Sequence, residues 1–202
     1  MLTDYALAAV AWILARGLLR GNDSRAAALW ALAFVVTGLA ALAGGSVHGF
    51  GSLLPRRLEH ALRVGTVMSV GLASACLLAG AVLAGVGSGP LRRVLLGLCA
   101  LKLALYLAWV ALHPDFRYAA YDSLPAGLLV LGFLVQWWLK GRSPAVALGA
   151  FGLLLSIAGA VLQQARVGIH RVWFNHNDLY HVVQAGALWL VYVAGRKLRD
   201  AR

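Results

Sequence analysis

The chain has 202 residues, of which 61% are hydrophobic and 12% charged. A soluble domain carries about 25% charged and about 45–50% apolar residues, so a chain this short could not hide its apolar surface from water, and lipid is the expected solvent. The net charge of +11 does not point to nucleic acid, because the basic residues stand singly or in pairs between apolar runs, as membrane anchors do.

A helix that crosses a bilayer needs about 20 mostly apolar residues. Seven segments are candidates: 5–19, 26–50, 60–86, 91–113, 118–139, 144–164 and 178–193. The first resembles the apolar core of a signal peptide, yet Asp4 precedes it, nothing basic does, and Arg16 follows. It is read as a retained helix whose Arg16 snorkels to the interface. GNDSR at 21–25 is a turn with a helix cap, and the second segment ends in GGSVHGF with Ala41, Gly45 and Gly49 at small-xxx-small spacing. The third opens on Glu59 and His60, GSGP at 87–90 turns the chain, and the fourth carries Lys102 in its middle. HPD at 113–115 ends the fourth segment, and KGRSP at 140–144 makes a hairpin after the fifth. Gly149 and Gly152 thin the sixth for close packing. The expected fold is an all-α membrane protein, a single transmembrane domain built as a compact bundle of seven transmembrane helices. Cys76 and Cys99 lie in apolar runs without CxxC spacing, which argues against a disulfide framework or thiolate site. The seven tryptophans mostly flank segment ends and read as interface anchors.

The basic residues give an orientation. The side opposite the amino terminus holds Arg16, Arg20, Arg25, Arg92, Arg93, Lys140, Arg142, Arg196, Lys197, Arg199 and Arg202. The amino-terminal side holds Arg56, Arg57, Arg63, Arg117, Arg166 and Arg171. The excess of Lys and Arg marks the cytoplasmic side, so a cell-membrane protein with its amino terminus outside and its carboxyl terminus in the cytoplasm is expected.

Polar chemistry gathers at the outer end. His48, His60, His113, His170, His176 and His181 all fall on or near it, with Asp4, Glu59, Asp115, Asp122 and Asp178. FNHNDLYHVVQ at 174–184 is the densest run. On a helix Asp178 and Asn177 share a face with His181, and Gln184 continues that face one turn deeper. An even-numbered helix ends where an odd-numbered one begins, so His48 lies level with His181. Histidines and a carboxylate converging from two helices suit a zinc ion that keeps an open position for water. The same residue types also cap helices and bind interfacial water. Lys102, in mid-helix, is expected to face the bundle interior with Tyr106 on its face and Asp122 as partner, either as a buried pair or lining a pathway.

The layout resembles a superfamily of seven-helix membrane hydrolases that includes the alkaline ceramidases and the progestin and adiponectin receptors. The resemblance covers the whole chain in layout, and GGSVHGF and HNDLYH in motif. It implies zinc held by a histidine of the second helix and a histidine pair of the seventh, with a serine and an aspartate nearby, acting on amide bonds of lipids. The second histidine of the pair would fall at Asn177, so the implied ligands are His48, His181 and either His176 or Asp178. The family serine would fall at Gly44, whereas this chain has Ser46, and Glu59 stands nearest the expected aspartate.

The expected function is therefore an outward-facing, metal-binding polar site, as in a zinc-dependent hydrolase of lipid-like amides or esters. Glu59 and Asp178 would move protons. Ser46, Asn177, Tyr180, Gln184, Lys102, Tyr106 and Asp122 would support the site or line a pathway. Membrane lipids and a lipid-like substrate are the expected partners. The alternatives are a small-molecule or proton transporter, a non-catalytic membrane scaffold, and a haem-binding cytochrome, ranked last because the histidines cluster at one end.

Overall fold

The computed structural model describes residues 2–20, 22–141, 143–170 and 173–201. Gly21 of the first turn, and Arg142, Arg171 and Arg202 of the charge asymmetry, lie outside the described residues. The chain forms α1 (Leu2–Leu19), α2 (Arg25–Phe50), a 3-10 turn (Gly51–Leu53), α3 (Arg56–Gly85), α4 (Pro90–Leu112), α5 (Phe116–Gly141), α6 (Pro144–Gln164) and α7 (His176–Gly195). No β-strand element occurs among the described residues. Helices α1 to α6 are long and apolar enough to cross a membrane. Helix α7 matches them in length at 20 residues but opens on the polar HNDLYH run.

Side-chain capping sets the starts of α2 and α7. Ser24 caps α2 by accepting from the Ala27 amide, and Asn175 and Asp178 form a reciprocal capping box that starts α7 two residues earlier than hydropathy suggests. Helix α3 begins at Arg56, ahead of the expected 60, because Pro55 presets the N-cap conformation and its carbonyl accepts from Leu58 and Glu59. Arg16 does not interrupt α1, which runs unbroken past it.

Six of the helices close a ring in the order α1, α2, α3, α5, α6, α7, with α7 returning to α1. Helix α4 stands outside it, packed on α3. The expected compact bundle of seven is thus a ring of six with one peripheral helix. Small residues decide where helices approach. A Cβ added at Gly80 would lie 2.5 Å from the Trp30 ring, so only glycine lets α3 receive that side chain. Trp30 is fully buried and donates its indole N–H to the Leu77 carbonyl at 3.0 Å. It is a core residue, not the interface anchor that its place near a segment end suggests. On α6, Gly149 and Gly152 face Ala194 and Leu190 of α7.

The carboxyl-terminal tail straps the end opposite Asp4. The Asp200 carboxylate accepts from the Ala26 amide at 2.9 Å and from Arg25 Nε at 3.1 Å. The Ala201 amide donates to the Leu83 carbonyl, and Arg92 Nη1 donates to the Ala201 carbonyl, both at 2.9 Å. Burial pushes the Asp200 carboxyl up, but the Ala26 and Arg25 amides and the Arg25 guanidinium outweigh it and hold the carboxyl below its ordinary range.

Helix α4 is tied back to the ring by charge. Lys102 Nζ lies 2.7 Å from Asp122 Oδ2 on α5 and donates to Ser74 Oγ on α3, also at 2.7 Å. The Ser74 hydroxyl is 2.6 Å from the same Asp122 oxygen. Asp122 is almost fully buried, so breaking the pair strands a charge in an apolar setting. Lys102→Met or Asp122→Leu alone should cost about 3–5 kcal/mol, and the double variant much less. Unfolding midpoints of the four proteins in detergent check this, and additive losses would contradict it.

Candidate functional site

The end of the ring at which α1 begins is organised around Asp4, in the first turn of that helix. Helix α1 is neighbour to both α2 and α7, so Asp4 faces the last turn of α2 and the early turns of α7. A Cβ at Gly45 would lie 2.6 Å from Asp4 Cβ, so glycine is required for the carboxylate to sit this deep. Asp4 is 1% exposed. Its Oδ1 lies 3.3 Å from His48 Nδ1 and 3.5 Å from His181 Nε2. The two histidines that sequence places at one height therefore meet the same oxygen atom. His181 is 7% exposed, whereas the His48 side chain is 48% exposed and has room to turn.

A second carboxylate reaches His181 through a hydroxyl. Thr3 Oγ1 donates to Asp178 Oδ1 at 2.7 Å and lies 3.3 Å from His181 Nδ1. A carboxylate only accepts, so the Thr3 hydroxyl spends its proton on Asp178, and its oxygen is left to accept from His181 Nδ1. A neutral His181 ring thus carries its proton on Nδ1 and turns the bare lone pair of Nε2 toward Asp4 Oδ1. Two acceptors 3.5 Å apart repel unless a proton or a metal ion lies between them.

The other expected residues are placed as follows. The Glu59 carboxylate is 2.7 Å from Arg63 Nη2, one turn along α3. Asp178 divides its oxygens between Thr3 and the Asn175 amide. The His176 imidazole makes no hydrogen bond or ion pair among the described residues. Ser46 donates to the Leu42 carbonyl at 2.8 Å and lies 3.3 Å from the Tyr5 hydroxyl. Asn177 accepts from Gln163 Nε2 at 3.0 Å, and Tyr180 packs its ring against His181. Gln184 accepts the Ser156 hydroxyl at 2.8 Å on its amide oxygen, which leaves the two amide N–H groups for another partner. The Tyr106 hydroxyl donates to the Val67 carbonyl at 2.8 Å. Among the described residues no three His, Cys, Asp or Glu side chains, Asp4, His48 and His181 included, are spaced as they stand to hold a metal ion. Sequence reasoning missed Thr3 and Asp4 as site residues. The available signal was an acid and a hydroxyl opening α1 at the level of His48 and His181.

Asp4, His48 and His181 stand on the wall of a cavity of about 560 Å³ inside the ring. The rest of that wall is largely aliphatic, with Ala41, Val70, Leu77, Val130 and Leu153 typical, and Gln184 and Ser74 supply polar points deeper in. Such a space takes an apolar ligand and orients it by a few polar groups.

The Thr3 contact has a direct test. A ¹⁵N–¹H correlation spectrum should find the His181 ring proton on Nδ1, and Thr3→Val should remove that preference. A proton on Nε2 with Nδ1 bare would contradict the assignment.

No curated protein and no solved structure matches the chain. One family model does, across residues 1–200, and its description is a family of unknown function, DUF6962. With a match over nearly all its length, the chain belongs to that family.

Proposed function

We propose that this protein is a seven-span membrane hydrolase that takes a long-chain amide or ester into the ring and holds a zinc ion between Asp4, His48 and His181. The observation that carries the reading is the convergence of two histidines on one buried carboxylate oxygen, on the wall of a largely apolar cavity of about 560 Å³.

The donor types suit the ion, and the three side chains would have to draw together to hold it. Zinc binds imidazole nitrogen at about 2.0–2.1 Å and carboxylate oxygen at about 2.0–2.2 Å, which sets tetrahedral donors about 3.3 Å apart. The oxygen-to-nitrogen distances of 3.3 and 3.5 Å match that edge. The unpaired lone pair of His181 Nε2 is a donor awaiting a cation, and the half-exposed His48 ring can turn to complete the set. Bound zinc supplies a Lewis acid and a water of lowered pKa. The chain does the rest. Thr3 and Asp178 hold the His181 ring in its donor tautomer. The free N–H groups of Gln184, one turn deeper, suit a substrate carbonyl, and the aliphatic wall holds its chain. Asp4 takes the place that the resemblance leaves between His176 and Asp178.

Membrane insertion is part of the same proposal. Large apolar side chains such as Leu98, Leu105, Phe151 and Leu154 stand exposed on the outside of the helices, a surface suited to lipid. Helix α7 joins as the seventh span because α1 and α6 flank it and its polar turns face the cavity. The excess of basic residues supports a cytoplasmic carboxyl terminus, so a reporter fused there should be active only if it works in the cytoplasm.

Detergent-purified protein should hold about one zinc by elemental analysis. It should cleave a long-chain N-acyl amide or ester, and Asp4→Asn, His48→Ala and His181→Ala should abolish both properties. A haem Soret band would replace this reading with a cytochrome. Metal-free protein in which only protons bridge Asp4 and His181 would replace it with proton-coupled transport, which the Ser74–Lys102–Asp122 cluster below the same cavity favours as the second reading.

A further inference from the structure

The apolar cavity adjoins a second space of different character. An open depression of about 470 Å³ lies between Arg63 of α3 and the turn that joins α4 to α5, where His113, Asp115 and Arg117 line it. Arg63, Pro114 and Phe116 line both spaces. A polar depression and an apolar cavity that share three residues have the form of one amphiphile.

We propose that the two spaces are a single binding site for a long-chain amphiphile with an anionic headgroup, a phosphate or a carboxylate. The headgroup lies on Arg63 and Arg117, and the hydrocarbon chain lies in the ring. This rests on the functional reading above only in that an amphiphile enters the cavity. It requires no metal.

The arginines have donors to give. Arg63 directs Nε and Nη2 at a single oxygen of Glu59, at 3.0 and 2.7 Å. Arg117 contributes Nε to Asp115 Oδ2 at 3.0 Å, while Asp115 Oδ1 caps the Arg117 amide. Each guanidinium has five N–H groups, so both keep unused donors of the forked kind that suits phosphate and carboxylate. Both ion pairs are solvent-exposed, and such pairs are worth about 0–1 kcal/mol, so an arriving anion can rearrange them at little cost. Pro114 and Phe116 form the apolar lip over which a chain passes inward.

The heights also agree. Thr66 of α3 lies against Gly44 of α2, 3.7 Å from where its Cβ would be. Arg63 is three residues outward from Thr66 and His48 four residues outward from Gly44, so at 1.5 Å per residue the two are level to within about 2 Å. A headgroup on Arg63 therefore lies at about the level of His48 along the helix axes.

Binding of radiolabelled dodecyl phosphate, dodecanoate and dodecanol to amphipol-held protein tests this. Wild type should bind at least one of the two anions about tenfold or more tightly than the alcohol, and that preference should shrink as salt is raised. The two anions separate a phosphate headgroup from a carboxylate one. Arg63→Gln with Arg117→Gln should abolish the preference and leave dodecanol binding as in wild type, and Arg93→Gln at the opposite end should change neither. The salt dependence carries the test if the double variant does not fold. Equal affinities for all three probes in wild type, or a preference that survives the double variant, would overturn the headgroup site while leaving the cavity reading intact. Failure of every probe to bind would overturn the cavity reading itself.

Discussion

A carboxylate buried among apolar helices must be matched by positive charge or hydrogen-bond donors, and that constraint at Asp4 orders the end of this protein at which α1 begins. Asp4 is 1% exposed. Its position is possible because Gly45 opens the α1–α2 seam; His48 of α2 lies within reach of it, and His181 of α7 can answer it only with a proton or a cation between them. The first two helices and the last are thus referred to one oxygen atom. The Thr3 hydroxyl, one residue before, carries the arrangement outward to Asp178, which in turn caps α7 through the Asn175 amide. Site and helix start are therefore one network. A change at Asp4 would be felt at the cap of α7 as well as at the two rings.

The cavity follows from the ring. Two packed layers would have filled the centre with side chains. A closed ring of six helices instead leaves its axis to be filled only as far as the side chains reach. Trp30, Phe34 and Leu18 fill it toward the end strapped by the tail. Toward the Asp4 end the ring-facing positions include Ala40, Gly44, Thr66 and Ala160, too small to meet across the gap. One end is a packed core and the other is a vessel. The polar groups stand where the vessel opens.

The second buried charge obeys the same rule by another route. Lys102 sits on the one helix outside the ring, and it reaches Asp122 and Ser74 across the α3 and α5 faces. Because Ser74 also lines the cavity, this pair is joined to the vessel's deep wall. Both buried carboxylates thus join one helix to its neighbours through polar contacts. Asp200 performs a related task in the open, drawing the tail onto the start of α2.

The sequence by itself determined the helices, their approximate ends and which residues share a height. Apolar length and capping residues are local properties, and alternation of direction then ranks His48 beside His181 and leaves Asp122 in reach of Lys102. What it could not determine is which helices are neighbours and how each is rotated about its axis. A helix apolar on every side, such as α2, gives no periodic signal of its inward face. Trp30 could therefore pass for an interface anchor until Gly80 was seen to receive it, and α4 could pass for a member of the bundle. The same ambiguity hid Asp4 and Thr3. Sequence set Asp4 at the same end as four other acids and six histidines, and did not single out Thr3. Only the closure of α7 onto α1, which brings the first and last helices together across nearly the whole chain, decided that this acid and this hydroxyl meet His181.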